Sequence, residues 1–194
     1  MKIGILGTRG IPNAYGGFEQ FAEHLSIGLH EKGHEVFVYN SSLHPYKENE
    51  WKNVQIVHCR DLENKLGTAG QFIYDLNCIR DARTRDFDIL LHLGYTSDSL
   101  WHRLWPVKAI NIVNMDGLEW KRSKYNKITQ RFLKWAESLA AKNAHTMIAD
   151  SPGELTNGIW WPLVAVVCAM FIVIYALNVV GDALRDALDP KLLS

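Results

Sequence analysis

The chain has 194 residues, with 21 Lys and Arg against 21 Asp and Glu, so its formal net charge at pH 7 is zero. That balance removes the overall electrostatic case for a nucleic-acid partner, which asks for a basic domain with a pI above roughly 9. With 47% hydrophobic and 22% charged residues, the composition is that of a folded domain and excludes a disordered one.

At the N-terminus Lys2 is followed by only a short apolar stretch before Arg9. That is too little for a signal-peptide core of roughly 7 to 15 residues, so the first domain is expected to be made and folded in the cytosol. Ile3 to Leu6, closed by Gly7, predicts a buried strand. Phe18, Phe21, Ala22, Leu25 and Leu29 then recur at helical spacing, with Gly33 where a C-terminal cap belongs. Val36 to Tyr39 and Val54 to Val57 read as strands, and Phe72, Ile73, Leu76 and Ile79 as a second helical stripe. Ile89 to Leu93 and Ala109 to Val113 follow as strands, then a helix carrying Ile128, Phe132, Trp135 and Leu139, then Thr146 to Ala149 as a last strand. Strands alternating with helices predict an α/β fold: a Rossmann-like parallel sheet with helices on both faces. In such sheets ligands lie beyond the carboxyl ends of the strands, which singles out the loops Gly7 to Gly17, Gly94 to Ser99 and Asn114 to Lys127.

The first of these loops has its glycines at positions 7, 10, 16 and 17, which is not the G-x-G-x-x-G spacing of dinucleotide sites. The second strand, moreover, ends in Tyr39-Asn40 with no acid to hold a ribose. Gly16-Gly17 at the start of a helix would let backbone N–H groups approach a phosphate, or forms a plain tight turn. The third loop places Asp116 and Glu119 beside Lys121 and Arg122. Such a set supplies acceptors for sugar hydroxyls and donors for phosphate oxygens, or makes a solvated ion-pair loop anchored by Trp120. His92 either faces the same cleft or is a hydrogen-bonded core residue. His30 and His34 are four apart with Gly33 between them, and Cys59, Cys78 and Cys168 are scattered, so neither a metal site nor a disulfide framework is expected.

The runs KIGILGTRGIPNAYGGFEQFAEHLS and NMDGLEWKRSKYNK resemble the N-terminal domain of bacterial family-4 glycosyltransferases of the rhamnosyltransferase-like group, over about residues 1–150. The resemblance implies the N-terminal, acceptor-side half of a GT-B fold and retaining transfer from a nucleotide sugar to a cell-surface polysaccharide or lipid-linked acceptor. The nucleotide sugar is then a co-substrate and no further cofactor is expected. By resemblance Gly16 and Gly17 lie near the donor diphosphate, with Arg9 as a further candidate for that cleft. Asp116 is the candidate catalytic residue, for positioning or acid/base work, with Glu119, Lys121 and Arg122 around it. Family members continue into a second Rossmann-like domain that holds most of the nucleotide sugar, and residues 151–194 contain nothing able to form one. The domain is therefore expected to be inactive alone, or completed by a partner protein or by self-association.

Residues 159–180 contain 20 apolar residues of 22 and no charge. At about 1.5 Å per residue they make roughly 33 Å of helix, enough to span a membrane, the other reading being a buried core helix. The stretch from Trp160 through GDALRDALDP resembles the C-terminal end of a dipeptide/oligopeptide ABC transporter permease. The expected organisation is a domain over 1–150, a junction over 151–158, a transmembrane helix over 159–180 and an amphipathic tail over 181–194. The cytoplasmic domain would then be anchored in the membrane by a single C-terminal helix. A competing class is a non-catalytic module that binds a glycan or lipid-linked sugar. A permease fragment is disfavoured because one span cannot build a permeation path.

Overall fold

The computed structural model describes residues 1–115, 117–122 and 124–149. The chain divides into two compact units, Met1–Asp150 and Ser151–Ser194, and every described residue belongs to the first. The expected junction, membrane span and amphipathic tail lie outside the described residues, as does Asp116. Among the described residues no helix is long and apolar enough to cross a membrane.

The first unit is built on one seven-stranded sheet in the order β3-β4-β2-β1-β5-β6-β7. Its strands are β1 (Lys2–Leu6), β2 (Glu35–Ser41), β3 (Glu50–Trp51), β4 (Val54–Cys59), β5 (Ile89–Leu93), β6 (Ile110–Met115) and β7 (Thr146–Ala149). Its helices are α1 (Gly17–Glu31), α2 (Glu63–Leu66), α3 (Thr68–Ala82) and α4 (Lys127–Asn143). Every pairing is parallel except β3 on β4. That hairpin, absent from the sequence expectation, turns through Lys52 and Asn53 with both φ angles positive, the twist a two-residue loop needs.

Alternation along the strands divides the interior into two layers. Ile5, aligned with Val38 on one side and Leu91 on the other, faces Ala22, Phe18, Leu25 and Leu29 on α1. Leu6, Phe37, Tyr39 and Leu90 face the opposite way, onto Tyr74, Cys78 and Ile79 of α3 and Ala136 and Ala140 of α4. The helices therefore cover both faces, as the periodicity predicts. α1 stops as expected, because Gly33 sits at φ 81° while its N–H bonds the His30 carbonyl at 2.8 Å and the His34 N–H bonds Leu29 at 3.2 Å. This is a Schellman closure.

α4 exists where the spacing predicts it, opened by Asn126, whose side chain accepts the Thr129 N–H at 2.8 Å. Its apolar stripe, however, is not the buried face. Leu133, Ala136 and Ala140 are buried, whereas Ile128 is 79% and Trp135 51% exposed. In the same way α3 buries Tyr74, Asp75 and Cys78 together with the expected Ile79, while Phe72, Ile73 and Leu76 of the expected stripe are only half-buried. Both helices are rotated because small or polar residues, which carry little hydropathy, make the close contacts.

Candidate functional site

From β1 the chain moves outward on one side through β2 and β4, then returns to lay β5 on the other side of β1. The loops after β1 and β5 diverge there and open a crevice at the carboxyl ends of the strands. A cavity of about 440 Å³ occupies it, within the range of small-molecule sites. The three loops singled out from the sequence supply much of its wall: Gly7 from the first, with Phe18 of α1 just after it, Gly94 to Asp98 from the second, Glu119 and Tyr125 from the third. Residues of α3 (Thr68, Gln71, Phe72, Asp75) and α4 (Thr129, Phe132, Leu133) close it.

The first loop is held rigid by its own side chains. Gly7, at φ 80°, lies so close to β5 that an added Cβ would stand 2.2 Å from the Leu93 carbonyl oxygen. Asn40, fully buried at the end of β2, accepts the Ile11 N–H at 3.0 Å and donates to the Ile11 carbonyl at 2.7 Å. A side chain in the position where dinucleotide folds hold a ribose is thus spent on clamping the loop. Glu19, buried in the first turn of α1, accepts from Thr8 Oγ1 at 3.2 Å and from the Arg9 N–H at 2.9 Å. The positive end of α1 therefore already faces a carboxylate of its own chain.

Of the residues singled out from the sequence, Glu119 lines the cavity. Its carboxylate is buried, 2.7 Å from Arg122 Nη2, and accepts from Tyr125 Oη at 3.2 Å. Arg122 and Lys121 are exposed outside it, with Lys121 Nζ 5.4 Å from the Trp120 ring centre. Arg9 turns away to pair with Glu63 at the start of α2, Nη2 to Oε1 2.6 Å, and stacks 5.3 Å from the Tyr15 ring. Gly16 precedes α1 in extended backbone and Gly17 opens it with free space at its Cβ position, but neither lines the cavity. Asp116 directly follows β6 in the chain and lies outside the described residues.

The floor of the cavity holds carboxylates that the sequence reading did not find. Asp75 is buried and accepts a hydrogen bond from Ser97 Oγ. Asp98 is buried beside it, with Oδ2 2.7 Å from His92 Nδ1, an ion-pair approach off hydrogen-bond alignment. Asn111 Nδ2 donates to the Pro106 and Ala109 carbonyls, each at 3.1 Å. Its Oδ1 therefore faces His92 Nε2, at 3.1 Å, and this network assigns the proton of His92 to Nε2. A neutral ring of that tautomer would turn its Nδ1 lone pair on a carboxylate, so a further proton belongs between His92 and Asp98. Burial pulls the His92 pKa down, but the adjacent Asp98 carboxylate and then the hydrogen bond to Asn111 outweigh it, and the net shift is upward. His92 is thus the hydrogen-bonded core residue, stacked 4.6 Å from the Trp105 ring. Burial first, then the charge of Asp98, pushes the Asp75 carboxyl up to about 7. Asp75 and Asp98 stand alone among apolar and small residues in the sequence, and only the packing of α3 against the loop after β5 brings them together.

A hydroxyl-rich ligand fits this lining. Carboxylates and the Thr, Ser and Tyr oxygens can receive or share its O–H groups, while Phe18, Phe72 and Phe132 offer apolar faces for the carbon skeleton. Among the described residues no three His, Cys, Asp or Glu side chains group as a metal site.

A family model described as "Domain of unknown function (DUF1972)" matches residues 1–158. No curated protein matches the chain in sequence. Among solved structures, a sucrose-phosphate synthase from Thermosynechococcus elongatus matches with a TM-score of 0.60 at 13% identity, over 82% of this chain and 45% of that one. At that identity the likeness is one of fold, and the chain spans less than half the length of this relative. The fold is a Rossmann-like α/β sheet of the kind that forms half of a GT-B architecture.

Proposed function

The chain belongs to that DUF1972 family, and from its glycosyltransferase-like fold and cavity we propose that residues 1–150 are the acceptor-side domain of a retaining GT-B glycosyltransferase. The transfer would run from a nucleotide sugar to a glycan or lipid-linked acceptor, held at the membrane by the apolar stretch 159–180. The observation that carries this reading is the convergence of three strand-end loops on one cavity lined by carboxylates, hydroxyls and aromatic faces. Asp75, Asp98 and Glu119 would take hydrogen bonds from acceptor hydroxyls, and Asp116, which follows β6, would position or deprotonate the attacking one. Gly16 and Gly17 would meet the donor diphosphate, with Lys121 and Arg122 as counter-charges. At the α1 terminus that phosphate competes with Glu19 for the same field.

The test is titration calorimetry of the full chain in detergent against UDP-, GDP- and dTDP-sugars and a panel of neutral glycans, with product analysis of each mixture. Saturable glycan binding weakened about tenfold or more by Glu119→Gln, the loss of a charge-assisted contact, supports the acceptor site. Binding with no turnover in any mixture would make the chain a sugar-holding module. A folded sample that binds no sugar in either form overturns the proposal.

A further inference from the structure

The chain is neutral as a whole, yet residues 120–135 carry six cations and no acid. The rest of the chain consequently has six more acidic than basic residues. The flanking acids do not cancel this cluster at its exposed face. Glu119 is buried and spent on Arg122, and Glu137 is half-buried on the flank of α4.

Helical geometry sorts the cluster further. At about 100° per residue, Lys127, Arg131 and Lys134 form one stripe, and Ile128 and Trp135 lie directly beside it, all five within an arc of about 120°. All five are exposed, Ile128 at 79% and Trp135 at 51%. Lys134 Nζ lies 5.0 Å from the Trp120 ring centre, so the cationic stripe runs on into the loop before α4. The buried side of the same helix lines the cavity through Thr129, Phe132 and Leu133.

We infer that this face of α4 docks on an anionic lipid surface. Cations beside a large aliphatic side chain and an indole ask for anions in one layer with an apolar medium directly beneath it, and a bilayer interface has that order. A nucleic-acid backbone would satisfy the three cations but leave Ile128 in water, and an acidic peptide offers no apolar layer of its own. The separation of charge between this face and the rest of the chain turns the face toward a negative surface before contact. The inference is independent of the glycosyl-transfer reading.

The test uses the full chain in bilayer nanodiscs, with an environment-sensitive fluorophore on Ile128→Cys and with Cys168→Ser removing a competing thiol. Discs are made of phosphatidylcholine alone or with about a third phosphatidylserine. Any immersion contributed by the apolar stretch 159–180 is common to both. The expected result is a blue shift at position 128 in the anionic discs only, reversed by high salt. Neutralisation, K127Q/R131Q/K134Q, should lower the docked-to-undocked ratio by about 100-fold, three cations each contributing about fivefold. Charge reversal at the same exposed positions, K127E/R131E/K134E, adds repulsion and should lower the ratio further. Equal shifts in the two lipids, an aqueous label in both, or a shift untouched by charge reversal in a folded variant would overturn the inference. So would capture by an RNA oligonucleotide that outcompetes the anionic discs.

Discussion

Asn40 shows how much of the first loop rests on one side chain. It makes two hydrogen bonds to the Ile11 backbone in a site with no access to water. Replacing it with Leu leaves a donor and an acceptor buried without partners, at about 1–3 kcal/mol each. Asn40→Leu should therefore lose about 2–6 kcal/mol in denaturant unfolding. Asp75 makes a prediction in pH. Its folded value of about 7 lies above the 3.8 of the free group. Between those values the folded state keeps a proton that the unfolded chain has released, so stability falls as pH rises through that window. His92, also raised, adds a loss in the same direction as pH climbs through its own folded value. Asp75→Asn removes the first contribution and weakens the second only slightly, because Asp98 and Asn111 hold most of the His92 shift. The melting temperature should then change less from about pH 4 to 7, by several degrees, with the His92 slope persisting above.

Glycines at two element boundaries separate conformational from steric cost. Gly33 needs its positive φ but has open space around it, whereas Gly7 needs both the φ and the room beside Leu93. Gly33→Ala should cost about 1–2 kcal/mol, the left-handed penalty alone. Gly7→Ala should cost distinctly more and disturb the cavity, which parallel chemical denaturation of the two variants reads directly. The elements themselves were legible to different degrees for physical reasons. Nearly continuous apolar runs such as Ile89 to Leu93, broken only by His92, announce a strand buried on both faces, and the structure places β5 there. The β3 hairpin carries no such signal, because two residues led by Glu50 form it and the turn is Lys-Asn without glycine. Helix positions were legible and helix orientations were not, since the buried faces of α3 and α4 rely on Asp75, Cys78, Ala136 and Ala140. Within the cavity Glu119 could be found because it sits in a charged loop at a strand end. Asp75 could not, because its neighbours in space come from the loop after β5.

At the scale of the whole first unit, the sheet stands between two sets of side chains that never meet. Ile5 packs toward α1 and Ile79 toward the opposite face, both fully buried. Ile5→Val and Ile79→Val should each cost about 1 kcal/mol, and the double variant should match their sum to within about 0.5 kcal/mol. A larger coupling in that cycle would mean that the backbone itself yields. If the sheet is as stiff as this, it acts as a bulkhead: a void opened on one side is not filled from the other. Either compartment could then be repacked by selection without renegotiating its neighbour, while the crevice at the strand ends, which belongs to the sheet's own edge-on geometry, keeps its shape through both.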